Sequence, residues 1–310
     1  MKVAVIGGTG FIGSYVVEAL LNDGHSPILL VQEGNEQKAP RKDECRIVTG
    51  HIADEESVRK TISGSEAVIY LVGIIREFRR KGITYEELHF SGAKECMNKA
   101  QELGVKRFLL MSANGVKPEG TGYQRTKYLA EQYMKTTDLE YTIFRPSIVY
   151  GDPKGQNRPE FCTQLRDQLI RLPLPAPLFY SGLLPNDAGK FEMSPVHVKD
   201  VSSIIVQSLS RKESIGQMYE LGGPENFSWK AIIKIIGKTL DKNKWTIPAP
   251  ALGIKSIAVL MDRFSFFPIT RDQIKMLVEG NTCDSKDTFE MFGVEPTFFD
   301  QKSLSYLLAD

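Results

Sequence analysis

The chain opens on an apolar run, Met1 to Ile6, that breaks straight into Gly7, Gly8, Thr9, Gly10, Phe11, Ile12 and Gly13. No other stretch limits the fold so strongly. Glycine is required where the backbone takes positive φ and where a ligand must approach without meeting a Cβ. Here glycines recur at every third position, 7, 10 and 13. Ser14 to Leu21 then reads as a helix, whose free N–H groups and positive dipole end form an anion site. A strand, a glycine-rich bend and a helix start in that order point to the pyrophosphate of a nucleotide cofactor.

The rest of the first half alternates in kind. Pro27 to Val31, Arg46 to Val48, Ala67 to Val72, Arg107 to Met111 and Tyr141 to Phe144 are short β-branched or aromatic runs. Ser57 to Ile62, Glu86 to Leu103 and Tyr128 to Lys135 carry apolar residues at helical spacing with charges opposite. Such alternation predicts an α/β fold, a Rossmann-type doubly wound parallel sheet with ligands at the C-terminal ends of its strands. Past Gly151, Pro153, Pro159, Pro173, Pro175, Pro177 and Pro185 break the rhythm. The expected division is therefore a dinucleotide-binding domain over 1–151 and a smaller substrate lobe over most of 152–310. Met218 to Leu221 reads as a strand returning to the sheet, and Lys230 to Leu240 as a later helix.

Thirty-nine basic against 38 acidic residues give a net charge of +1. No global field draws the chain to nucleic acid or anionic lipid, and a small-molecule substrate fits better. Cys45, Cys96, Cys162 and Cys283 are far apart without a CxxC pair, which suggests neither a zinc site nor disulfides but free thiols. His25, His89 and His197 lack metal-ligand spacing and read as structural. The amino terminus lacks a signal-peptide layout and no apolar run is long enough to span a bilayer, so a cytoplasmic protein is expected.

Several segments together resemble the extended and atypical short-chain dehydrogenases. They are the opening GGTGFIG, Gly104-Val105-Lys106-Arg107-Phe108 leading to Ser112, the Tyr123-x-x-x-Lys127 pair, Phe144-Arg145-Pro146 before Val149-Tyr150-Gly151, and Pro195 to Asp200. Thr270-Arg271-Asp272-Gln273 and Asn281 are most similar to the branch containing the NAD(P)H-binding accessory subunit of respiratory complex I and its bacterial relatives. The resemblance implies that Gly7, Thr9, Gly10, Phe11, Ile12, Gly13, Gln32, Val72, Gly73, Lys127 and Pro146 contact NAD or NADP. It also implies Tyr123, Lys127 and Ser112 as the catalytic set.

A phenol titrates near pH 10 and works near neutrality only if something stabilises phenolate. Lys127, four residues on along one helix, can place its ammonium beside the Tyr123 oxygen and the cofactor ribose. Ser112 can hydrogen-bond the reacting oxygen, with Asn114 as a substitute; the short spacing from Ser112 to Tyr123 departs from many relatives. At the end of the second strand Gln32 and Glu33 leave NAD against NADP open. Lys38, Arg41 and Lys42 offer charge for a 2′-phosphate, and His51 stands where relatives often carry aspartate near the adenine.

Other features read two ways. Arg76, Arg79, Arg80 and Lys81 look like an anion-binding loop or a solvated surface. Ile254 to Phe267, with Phe264, Phe266 and Phe267, reads as a helix over the lobe or a membrane or partner surface. Leu172, Leu174, Leu178, Phe179 and Leu183 suggest an apolar lining or core, and Arg166 and Arg171 could meet a nucleotide-sugar diphosphate. Two functions follow. One is an NAD(P)-dependent oxidoreductase or epimerase acting on a carbonyl or hydroxyl carbon. The other is a cofactor-bound accessory, assembly or stabilising protein with little catalysis, whose partners would include protein or a membrane surface.

Overall fold

Seven parallel strands make one sheet. They are β1 (Lys2–Ile6), β2 (Ser26–Val31), β3 (Arg46–Thr49), β4 (Ala67–Tyr70), β5 (Arg107–Met111), β6 (Glu140–Pro146) and β7 (Gln217–Leu221), in the spatial order β7-β6-β5-β4-β1-β2-β3. The order reverses at β1, between β4 and β2, so a crevice opens at the carboxyl end of β1. The computed structural model describes residues 1–155, 158–182, 184–251 and 271–309. Ile254 to Phe267, Leu183 and Thr270 lie outside them.

Alternation along the strands loads both faces. Ala4 and Ile6, Val68 and Tyr70, and Phe108 and Leu110 join one core with side chains of α2 (Glu55–Ile62), α3 (Gly92–Glu102) and α4 (Gly122–Met134). Full burial of each large apolar side chain contributes about 1.5–3 kcal/mol. On the opposite side α1 (Phe11–Asn22) packs against α5 (Val198–Ser208). The sheet matches the doubly wound fold expected from the sequence.

By contacts the chain divides into two compact units. The first comprises Met1–Pro146, Val198–Leu221 and Asp287–Glu295; the second comprises Ser147–His197, Gly222–Lys286 and Pro296–Asp310. Arg107, buried at the start of β5, ties the returning segment into the first unit. Its guanidinium donates to Glu140 O, Thr142 Oγ1, Ser208 O and Ser214 Oγ. Burial lowers this arginine to about 10, and those four acceptors offset its lost hydration.

In the second unit, Tyr150, Trp229, Ile232, Ile236, Phe299 and Leu304 form a core of their own. Ala176–Tyr180 pairs in parallel with Thr246–Pro250. Leu178 and Phe179 are buried there, whereas Leu172 and Leu174 are exposed. Arg166 and Arg171 both pair with Asp167, and Arg166 also donates to Leu307 O and Ala309 O, so neither guanidinium stands ready for a diphosphate. His197 is buried edge-on against Tyr150.

Three element boundaries differ from the sequence reading. The helix expected over Tyr128 to Lys135 begins at Gly122. Thr121 and Gln124 form a capping box there, with each side chain accepting from the other residue's backbone N–H. The helix expected from Glu86 opens with a π-helical stretch, Glu86–Ser91, before regular geometry starts at Gly92. The strand expected to reach Val72 ends at Tyr70, and Leu71 begins the exit into the site.

Candidate functional site

The glycine loop fits an anion because its backbone leaves no room for side chains. Gly7 takes φ +94°, and Gly10 N–H donates to Gly7 O at 3.1 Å, which closes the bend. A Cβ on Gly13 would lie 2.1 Å from Gly7 O and 2.8 Å from Gly8 Cα, so the first turn of α1 can sit against the loop only with glycine here. Ser14 N donates to Gly10 O as the helix ladder begins. The N–H groups of Phe11, Ile12 and Gly13 precede that ladder, and no acidic residue occupies the first turn. A dinucleotide pyrophosphate fits this cradle.

Around the rim, Gln32 is exposed just past β2 and bends the chain by accepting from Asn35 N. Arg41 is committed elsewhere: its guanidinium holds Glu44 through two nitrogens and donates to Asn22 Oδ1. Lys42 donates to Gln37. His51 Nδ1 accepts from Ala53 N, and Asp54 caps α2 by accepting from Glu56 N. All three cations considered for a 2′-phosphate, Lys38, Arg41 and Lys42, are therefore engaged by neighbours.

The Tyr123–Lys127 pair lies at the C-terminal ends of β4 and β5. Lys127 is buried, and its Nζ donates to Val72 O at 3.0 Å and to Met111 O at 2.8 Å. Burial lowers its ammonium to about 8, opposed by the nearby Glu131 carboxylate. A Cβ placed on Gly73 would stand 3.6 Å from Nζ, so the backbone at Gly73 lines the same space. Tyr123 is one turn earlier on α4 and half-buried; its hydroxyl enters none of the described hydrogen bonds. Burial pushes its phenol up to about 12.

Tyr123 is held by a histidine that the sequence reading treated only as structural. The His89 ring lies edge-on to Tyr123 at 5.1 Å and stacks on Tyr85 at 5.3 Å. Its Nε2 accepts from Ile74 N at 3.0 Å, which fixes the remaining proton on Nδ1, and Nδ1 donates to Thr126 Oγ1. Thr126 in turn donates to Gly122 O. Burial and the Lys127 charge lower His89 to about 2, so it is a neutral strut between the loop after β4 and the start of α4.

Ser112 follows the end of β5. Its hydroxyl donates to the fully buried Glu131 carboxylate, which also receives two donors from Arg145. The Ser112 hydroxyl is thus directed at this buried ion pair. Asn114 Oδ1 accepts from Gly115 N, and Asn114 N donates to Pro146 O, which ties the Ser112 loop to the end of β6. Sequence spacing carried no sign of the Glu131–Arg145 pair. The capping box at Thr121-x-x-Gln124 was the readable signal for where the helix bearing Tyr123 begins.

Comparison with known proteins identifies the family. The profile of a family described as NAD(P)H-binding matches residues 7–165, just over half of the chain, and the chain belongs to that family. Among curated relatives, the 40 kDa subunit of mitochondrial NADH-ubiquinone oxidoreductase from Neurospora crassa is 23% identical over 98% of this chain and 78% of its own length. The ceramide reductase of Caulobacter vibrioides is 24% identical over 85% of this chain and 78% of its own length. The solved UDP-glucose 4-epimerase of Thermus thermophilus with NAD superposes at a TM-score of 0.74 with 18% identity, covering 99% of this chain and 98% of that one. The likeness to that structure concerns the fold. Among the described residues, no helix is long and apolar enough to cross a membrane.

Proposed function

We propose that the chain is an NAD(P)-dependent oxidoreductase or epimerase acting at a carbonyl or hydroxyl carbon, with Tyr123 as the proton-transfer residue and Lys127 as its electrostatic partner. The observation that carries the reading is the uncommitted Tyr123 hydroxyl, one helical turn from a buried ammonium beside Gly73. The bound dinucleotide supplies or accepts hydride. In the reducing direction Tyr123, protonated at neutral pH, gives its proton to the substrate oxygen. Two of the three Lys127 N–H groups hold Val72 O and Met111 O, and the third is left to stabilise the phenolate or meet a ribose hydroxyl. Names among the relatives, ceramide reductase and divinyl chlorophyllide a 8-vinyl-reductase, support reductive chemistry.

The test is Tyr123→Phe, assayed with NADH and NADPH against ketones, conjugated alkenes, quinones and sugar nucleotides. Turnover should fall at least about a hundredfold while dinucleotide affinity stays near that of the parent. Turnover at the parental rate in the variant would remove Tyr123 from the reaction.

A second reading has its own observation. Ser112, the donor that the dehydrogenase resemblance calls for, is tied to Glu131, and several relatives are subunits of a respiratory complex. Under that reading the chain is a cofactor-stabilised accessory or assembly protein. Dinucleotide at a hundred times its Kd would add about 2.7 kcal/mol of stability with no turnover of any compound in the screen.

A further inference from the structure

The loop after β4 is built as a finger. Phe78 N donates to Ile83 O at 2.8 Å and Ile83 N to Phe78 O at 3.3 Å, which closes Arg79–Lys81 into a 3₁₀ turn completed by Gly82 at φ +70°. Its base is fastened twice: Tyr85 Oη donates to Ile75 O, and Tyr85 N donates to Glu77 Oε1, both at 2.9 Å. The Tyr85 ring also meets Tyr123 edge-on at 5.9 Å, so the finger projects beside the proposed catalytic phenol.

What it presents is unusual for a solvated turn. Arg79, Arg80 and Lys81 are exposed at the tip, with Arg79 81% exposed, and Glu77 at the base offsets only one of them. Among the described residues, Arg80 and Lys81 enter no ion pair. Beside these cations Phe78 is 50% and Ile75 43% exposed. The chain's net charge is only +1, so attraction to an anionic surface has to come from a local cluster such as this one.

We propose that the finger Ile75–Ile83 docks the protein on an anionic lipid bilayer. Three adjacent cations meet negative headgroups, while Phe78, the residue next to them, enters the boundary between headgroups and acyl chains. A nucleic-acid duplex would satisfy the cations but leave the Phe78 ring in water. A folded protein partner draws most of its affinity from a few side chains buried in well-packed pockets, which a turn of exposed cations does not offer. Bilayer binding instead sums small contributions from individual residues, about fivefold in affinity for each cation near an anionic surface.

The experiment uses the full chain without dinucleotide, so its outcome is separate from that of the proposed reaction. Co-sedimentation is measured with vesicles of phosphatidylcholine alone and of phosphatidylcholine with phosphatidylglycerol. Binding is expected only to the second kind, weakening with added salt. The triple variant Arg79→Glu, Arg80→Glu, Lys81→Glu should lower it at least about a hundredfold. Phe78→Ser should lower it about tenfold while leaving its salt dependence intact. Retained NADH affinity verifies that each variant is folded. Equal binding to both kinds of vesicle, no binding to either, parental binding by both variants, or binding to RNA as tight as to the anionic vesicles would each overturn the proposal.

Discussion

Replacing His89 by glutamine isolates one buried group whose titration is coupled to folding. The neutral imidazole is held near pKa 2 in the fold against an ordinary value of 6.5. The folded-state pKa of this base is depressed, so below 6.5 the unfolded chain takes up a proton that the folded chain refuses. Stability from this group is complete above 6.5 and drains away as pH falls toward 2. The slope approaches about 1.4 kcal/mol per pH unit, and the loss between about pH 7.5 and about pH 5 comes to about 2 kcal/mol. Glutamine can accept from Ile74 N and donate to Thr126 Oγ1 as the imidazole does, but it does not titrate. Urea denaturation at several pH values, with hydrogen exchange of the β4 amides as the reporter of the first unit, measures the difference. His89→Gln should be flatter than the parent by about 2 kcal/mol over that window. Parallel pH curves for the two proteins would refute the neutral strut.

Two further outcomes follow from the site. Gly13→Ala brings a Cβ to 2.1 Å from Gly7 O, so the loop must shift by about an ångström. Dinucleotide binding measured by calorimetry should then weaken at least about a hundredfold, a shift of about 3 kcal/mol. If Lys127 must be charged for proton transfer, the rate of the reductive reaction should fall as pH rises above about 8, where the buried ammonium loses its proton. In Lys127→Arg that alkaline limb should move beyond reach or the activity vanish, and an unchanged limb near 8 would assign it to another group.

The parts of the fold that the sequence made legible are those fixed locally. Positive φ at Gly7 and the close approach at Gly13 demand glycine whatever surrounds them. Alternating Val3, Ala4, Val5 and Ile6 announce a strand loaded on both faces. The return of Met218 to Leu221 to the sheet was legible for the same reason, since the run has its own strand pattern, whereas its place beside β6 is set by the fold. Ser112 was read by its position at a strand end, but its hydroxyl answers to Glu131 on α4 and Arg145 on β6, residues 19 and 33 positions along the chain. Such a contact is set by tertiary packing and leaves no local mark. His89 likewise looked like a core histidine, and it is one. Only the fold shows that its two nitrogens bind the loop after β4 to the helix of Tyr123.

The place of β7 beside β6 has a consequence for biosynthesis. A nascent chain that has just emerged past Pro146 holds six of the seven strands, with the β7-facing side of β6 unpaired until residues 217–221 arrive. Through that interval Thr142 and Phe144 belong to an open edge, the kind that recruits strands from neighbouring chains. Truncation after Pro146 should therefore give insoluble material rather than a working miniature. A permuted chain that places Val198–Leu221 soon after β6 should shorten the hazardous interval and raise the soluble yield.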